Sequence, residues 1–301
     1  MKVVVFALLM IAALSLCWLC YTGLATEQTI FNCKQCGEES CPVSTERKEL
    51  LPLSEFGSPR FPESVLNVLT AFTDAVDAGQ HFKNPPGTSL LRTLHVFGEP
   101  SFGAVIQNHK DQTYWILLRG SKFYRDWLAD ARQHQEPYDC GGRVHAGFLT
   151  VLKTIRFATL QSLPEASRTC RVLVTGHSLG AAVATLLALF LKKERPLADV
   201  SLMTSACPRV GDEAFCELMD ARVPSHVTLR NDADLVPTIP SAVTVNFRNP
   251  YKPFLYSRCG AVMLFNSNWK SVSNNHQISV YLAFAQALAR DSAGEEGHER
   301  L

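Results

Sequence analysis

From Phe61 onward the chain alternates between helical and extended apolar patterns. Val65, Leu66, Val68, Leu69, Phe72 and Val76 recur at helical spacing behind Pro62-Glu63-Ser64, a helix-start signal. Two apolar runs, Phe102–Gln107 and Thr113–Leu118, flank Asn108-His109-Lys110-Asp111 and predict a β-hairpin. A second helix is expected from about Ala146 to Leu163. Arg171–Thr175 predicts a short buried strand, followed by a Gly-rich turn and a strongly helical run from Ala181 to Lys193. Val200–Ser205 and Val227–Leu229 predict two further strands, with a helix near Glu213–Met219 between them, and Ile278–Leu288 predicts a last helix. Strands alternating with helices imply an α/β fold, a mainly parallel central sheet with helices on both faces. The charged tail beyond Arg290 is expected to be loose.

Ahead of this domain, expected over 61–290, lies an N-terminus of different character. After Lys2 an apolar run extends from Val3 to Cys20, and small residues follow up to Ala25. That order predicts a signal peptide over 1–25, with cleavage after Ala25 and a secretory destination. The run also reaches the lower limit for a membrane span, so anchoring through it is the alternative. Residues 26–60 are polar, carry Cys33, Cys36 and Cys41, and look like an N-terminal extension; 291–301 form the charged tail. Without the leader eight cysteines remain, an even count that predicts disulfides in an oxidising compartment but not their connectivity. Cys33-x-x-Cys36 has no second CxxC or paired His nearby, so no metal is expected there. With 29 basic and 28 acidic residues the net charge is +1, which gives no reason to expect a nucleic-acid partner.

The most specific local signal is Gly176-His177-Ser178-Leu179-Gly180, lying between a predicted strand and a predicted helix. A serine on such a turn has strained backbone angles, so nothing larger than glycine fits two residues to either side. The turn lifts Oγ above the sheet end, and the N–H of Leu179 is aimed at a developing oxyanion, aided by the positive end of the helix. A serine hydroxyl needs a base, and on this kind of turn the chain order is Ser, then Asp or Glu, then His. Beyond the predicted 227–229 strand the histidines are His276 and His298. His298 lies in the charged tail, whereas His276 directly precedes the last helix and is the candidate base. Asp232 and Asp234 both follow the strand. Asp234 leads into Leu235-Val236-Pro237, a rigid exit, and is preferred as the acid, with Asp232 as runner-up. His177 is expected to be a packed support residue.

Several blocks, in order, resemble the class 3 lipase family of fungal triacylglycerol lipase type, within the α/β-hydrolase superfamily. They are Trp115-Ile-Leu-Leu-Arg-Gly-Ser121, Asp126-Trp127-Leu-Ala-Asp130, Val144-His145-Ala-Gly147-Phe148, the turn around Ser178, Pro208-Arg-Val-Gly211, Asp234-Leu-Val-Pro-Thr-Ile-Pro240 and His276. The resemblance covers roughly residues 60–290. It implies a triad of Ser178, Asp234 and His276, and it adds Ser121 as second oxyanion donor beside Leu179. His145 matches a family position read as structural. The chain departs from the family at Ala181, where a second glycine is usual, and at Ala206-Cys207-Pro208-Arg209, which puts a disulfide or a buried thiol near a strand end.

Phe123, Trp127, Leu128 and Ala131 fall on one face of a predicted helix over 121–133. In the family this region is a lid, so a short helical lid with an apolar face is expected here. The function implied is hydrolysis of triacylglycerol at an oil–water or membrane surface, without a cofactor. Phospholipase A1 and mono- or diacylglycerol lipase activity are the alternatives, followed by carbohydrate esterase activity and by an inactive lipid-binding hydrolase fold.

Overall fold

The computed structural model describes residues 29–30, 61–76, 82–96, 99–120, 134–165, 168–246, 249 and 251–298. The expected leader, most of the 26–60 extension and the predicted lid over 121–133 lie outside the described residues. So do Cys33, Cys36 and Cys41.

The elements in chain order are β1 (Thr29–Ile30), α1 (Phe61–Val76), β2 (Thr88–Val96), β3 (Glu99–Asn108), β4 (Tyr114–Leu118), β5 (Gln135–Pro137), β6 (Arg143–His145), α2 (Ala146–Leu160), β7 (Arg171–His177), α3 (Leu179–Glu194), β8 (Asp199–Ser205), α4 (Glu213–Arg222), β9 (His226–Asn231), a 3-10 turn (Val236–Thr238), β10 (Val243–Thr244), β11 (Phe254–Leu255), β12 (Ala261–Phe265), α5 (Val272–Asn275) and α6 (Ile278–His298). One sheet runs β1-β12-β9-β8-β7-β4-β3-β2. Neighbours from β1 to β4 are parallel, and the β4-β3-β2 edge is antiparallel. This is the α/β-hydrolase arrangement, a mainly parallel sheet with helices on both faces.

The apolar pattern explains the layers. α3 is buried through its whole length from Leu179 to Leu191, since it lies between the sheet and α2. Its last turn carries Lys192 and Lys193, suited to the negative end of the helix. With α2 and α4 it closes one core around Phe148, Val174, Leu186 and Phe215. On the opposite face α1 packs on α6, and a second core forms around Leu69, Trp115, Leu173, Phe265 and Tyr281.

Three strands of the main sheet, β1, β2 and β12, had no counterpart in the sequence reading, nor did the two short ladders β5-β6 and β10-β11. β2 is an edge strand whose register shifts between Leu90 and Arg92 and again between Leu94 and Val96. Most of its side chains are not buried, so no clean alternation marks it. β12 is only five residues long, and β1 two. The charged tail also differs from expectation, because the backbone of α6 stays helical to His298. Its Ala, Arg and Glu content favours that state. Among the described residues the predicted cysteine chemistry resolves into one bridge, Cys216–Cys259, and thiols at Cys140, Cys170 and Cys207. Cys207 is thus the buried thiol of the two expectations for that position. No helix among the described residues is long and apolar enough to cross a membrane.

Candidate active site

β7 ends at His177 and α3 begins at Leu179, so Ser178 alone makes the turn. Its φ of 58° and ψ of −124° put a residue with a Cβ in the left-handed region, at a cost on the order of 1–3 kcal/mol. The surrounding backbone holds it there: Ser178 N–H donates to Ser205 O (3.1 Å), and Ser178 O accepts from Ala182 N–H (3.2 Å). The flanking glycines are sterically required. A Cβ on Gly176 would stand 2.4 Å from Gly180 O, and one on Gly180 would stand 2.1 Å from Leu118 O and 2.4 Å from Arg119 O. These are backbone atoms of packed elements and have nowhere to go. Gly180→Ala is therefore expected to lower unfolding free energy by more than about 3 kcal/mol. Denaturant unfolding reads this directly, and a loss within about 0.5 kcal/mol of wild type would contradict this packing of the turn.

The other two candidates arrive on loops at the same end of the sheet. His276 closes the short α5 directly before α6, and Asp234 follows β9. Asp234 Oδ2 lies 2.8 Å from His276 Nδ1, and His276 Nε2 lies 2.8 Å from Ser178 Oγ. Relative exposures are 0% for Asp234, 5% for His276 and 2% for Ser178. A carboxylate accepts, so Nδ1 carries the proton, and in the neutral ring Nε2 is left to accept from the serine hydroxyl. Asp234 Oδ1 accepts from Val236 N–H (2.9 Å), and Oδ2 accepts a second bond from Tyr281 Oη (2.7 Å). Burial, and then the neighbouring Asp234 charge, push the Tyr281 phenol well above its ordinary range, so it stays a neutral donor. Asp232, the runner-up acid, stands apart with its side chain half exposed, 3.5 Å from Arg230.

Two buried asparagines tie these loops together. Asn231 Nδ2 donates to Ser267 O (2.8 Å) and Asn275 O (3.2 Å), and its Oδ1 accepts from the N–H groups of Ala233 and Ser267. Asn275 Nδ2 donates to Ala233 O (2.9 Å), and its Oδ1 accepts from Trp269 N–H (2.6 Å). Asn231, Asn275 and Tyr281 were not singled out from sequence, because their partners lie far away along the chain.

His177 is a buried support. Its Nε2 lies 2.9 Å from His276 O, which can only accept, so Nε2–H donates and Nδ1 accepts from Ser205 Oγ at 3.0 Å. Its ring centroid is 4.9 Å from that of His276. Burial, and then the adjacent His276, hold its pKa well below 6.5. The unfolded chain therefore binds a proton below about pH 6.5 that the folded chain does not, and stability falls as pH drops through that window. The slope from this one group approaches about 1.4 kcal/mol per pH unit. Thermal unfolding of wild type and His177→Asn between about pH 7 and 5 is expected to show a shallower decline in the variant. Equal slopes would contradict the neutral assignment.

Leu179 is the first residue of α3, so its amide has no helical carbonyl behind it to bind. Ser121 and the lid candidates Phe123, Trp127 and Leu128 lie outside the described residues. His145 is buried and caps α2, its Nδ1 accepting from Gly147 N–H at 3.1 Å. No group of His, Cys, Asp and Glu fit to hold a metal occurs among the described residues.

Residues 115–244 match the family model described as lipase (class 3). A lipase from Rhizomucor miehei is 35% identical over 162 residues, covering 51% of this chain and 44% of that protein. A secreted mono- and diacylglycerol lipase from Fusarium solani is 32% identical over 133 residues, covering 42% and 39%. The chain thus spans less than half the length of these curated relatives. Among solved structures, a triacylglycerol lipase whose catalytic centre is formed by a serine protease triad aligns with a TM-score of 0.50 and 26% identity, over 59% of this chain and 72% of that one.

Proposed function

We propose that the chain, whose residues 115–244 match the class 3 lipase family model, hydrolyses lipid esters through an acyl-enzyme, with Ser178 as nucleophile. The observation that carries this reading is the buried line of hydrogen bonds from Asp234 through His276 to Ser178, 2.8 Å at each step.

His276 Nε2 takes the Ser178 proton as Oγ attacks the ester carbonyl. The Leu179 N–H, with the N-terminal end of α3 behind it, stabilises the oxyanion; Ser121 supplies the second donor in this reading. Asp234 holds the ring in the productive tautomer and stabilises the imidazolium. The protonated His276 then gives its proton to the leaving alkoxide, and the alcohol departs. Water, deprotonated by His276, releases the fatty acid and regenerates Ser178. The lid over 121–133 belongs to the same proposal.

The substrate is a triacylglycerol in the first reading. A second reading, mono- or diacylglycerol, is favoured by the Fusarium relative. Fatty-acid release from triacyl-, diacyl- and monoacylglycerol and from phosphatidylcholine, each with a Ser178→Ala control, decides between them. Serine-dependent release fastest from triacylglycerol is expected. A folded protein that releases nothing from any of the four would overturn the lipid-ester reading.

A further inference from the structure

Asp234 Oδ2 accepts from two donors at once, His276 Nδ1–H at 2.8 Å and Tyr281 Oη–H at 2.7 Å. The first bond belongs to the line that ends at Ser178. The carboxylate also has an anchor of its own, because Oδ1 accepts from the Val236 N–H at 2.9 Å. The phenol therefore does more than hold the acid in place: it competes with His276 for the oxygen that faces the base.

The direction of the second bond is fixed. Tyr281 Oη has one hydrogen, and the Asn231 N–H donates to the same oxygen at 3.3 Å. Oδ2 of a carboxylate can only accept, so the phenol hydrogen points at it. The ring is locked as well. It is 0% exposed and packs edge-on against Phe265, with centroids 5.2 Å apart, and against His177 at 5.6 Å. Tyr281 lies near the start of α6, the helix that His276 precedes, so both donors reach Oδ2 from one short stretch of chain. Burial, and then the Asp234 charge, push the phenol well above its ordinary range, which keeps its hydrogen on Oη around neutral pH.

A hydrogen bond to a charged carboxylate stabilises that charge and leaves less of it for other partners. The imidazolium that forms on His276, in the reaction or at low pH, is stabilised by the charge on Oδ2. A second donor on Oδ2 therefore loosens the hold of Asp234 on an added proton and keeps the ring ready to take the one on Ser178. Among the described residues, the groups that face this pair from neighbouring elements include His177 and Arg230. His177, at the end of β7, is held neutral by burial, with its centroid 4.9 Å from that of His276. Arg230, on β9, acts on the Tyr281 phenol and stands 3.5 Å from Asp232.

We propose that Tyr281 is a positioning residue that acts through Asp234: by sharing Oδ2 it tempers the pull of the carboxylate on the His276 Nδ1 proton and extends activity to lower pH. The proposal rests on the triad chemistry proposed for Ser178, and it is tested on labelling of that serine without lipid turnover, so that the two can fail separately.

The experiment is the pH dependence of fluorophosphonate labelling of Ser178 in the full-length protein, for wild type, for Tyr281→Phe and for a ring-fluorinated tyrosine placed at position 281. Labelling needs a neutral His276 and no lipid. Tyr281→Phe keeps the ring and removes only the hydroxyl. The pH at which the labelling rate falls to half its plateau is expected to rise by about half a pH unit or more. Fluorination makes the phenol a stronger donor, and the same midpoint is expected to move down. The base, the acid and the nucleophile are all kept, so the plateau rate is expected within about tenfold of wild type. The His276 Nδ1 proton, followed by NMR, is expected to move downfield in Tyr281→Phe as its bond to Oδ2 strengthens, and upfield in the fluorinated protein. A tyrosine that only fills space would not move the midpoint and the resonance in opposite directions with its two replacements. Should Tyr281→Phe not fold, the downward shift in the fluorinated protein decides the matter. A midpoint that stays put, or moves the other way, in a folded variant would overturn the proposal. A folded wild-type protein that takes no label on Ser178 would overturn it together with the triad. The expected shifts in a chain that releases no fatty acid would uphold it and fell the lipid-ester reading alone.

Discussion

Replacing Ser178 with alanine is expected to lower kcat for ester hydrolysis by on the order of 10³-fold or more, with KM close to wild type. The size follows from what is lost. His276 Nε2 is 2.8 Å from Oγ, so in the proposed mechanism removing Oγ takes away the nucleophile that the base activates. What survives is the oxyanion donors and substrate binding, which sustain only a residual rate. The substitution is also a clean one structurally. The Ser178 side chain makes no capping bond to α3, and alanine meets the same backbone strain at φ 58° as serine does. The variant should therefore fold with a stability within about 1–2 kcal/mol of wild type, the cost of one buried hydrogen bond. A decline in kcat of less than about tenfold would contradict the nucleophile assignment.

Asp234→Asn is expected to cost on the order of 10⁴-fold in kcat while preserving the fold. The reason is a tautomer. Oδ1 of Asp234 accepts from the backbone N–H of Val236, so an asparagine at this position must keep its oxygen there and turn its amide nitrogen toward His276. That nitrogen donates, where Oδ2 of the carboxylate accepted. Nδ1 of His276 must then accept, Nε2 must carry the proton, and an N–H faces Ser178 Oγ where a lone pair is needed. Tyr281 Oη, 2.7 Å from Oδ2 in the wild type, can rotate its hydroxyl and accept from the same amide. A rate loss below about 10²-fold would mean that Asp234 does not set the ring's proton. The variant's rate is also expected to recover at high pH less than tenfold, because the tautomer, and not the charge of the ring, is what is wrong.

The parts of this site that could be read from sequence are those fixed by local sterics. The two glycines around Ser178 are dictated by carbonyl oxygens less than 3 Å from any added Cβ, and a pentapeptide between a strand and a helix carries that demand openly. Asp234 was separable from Asp232 for a related reason. The Leu-Val-Pro exit becomes a 3-10 turn whose Val236 amide caps the Asp234 carboxylate, so the signal sits two residues from the acid. Tyr281 was hidden because its bond to Asp234 spans 47 residues, and in sequence it is one more aromatic residue on an apolar helix. Asn231 and Asn275 were hidden in the same way, joined across 44 residues. The strand β2 escaped because a bulged edge with few buried side chains has no period for a pattern to reveal.

The central claim is that Ser178 is the nucleophile, activated by His276 and Asp234, and a fluorophosphonate reports on it directly, since it phosphonylates an activated serine irrespective of the lipid preferred. Mass spectrometry of the labelled, digested wild-type protein is expected to find one adduct, on the peptide carrying Ser178. The adduct should be absent from Ser178→Ala and should form far more slowly in Asp234→Asn. A folded wild-type protein that takes no label, or takes it on a different serine, would contradict the account.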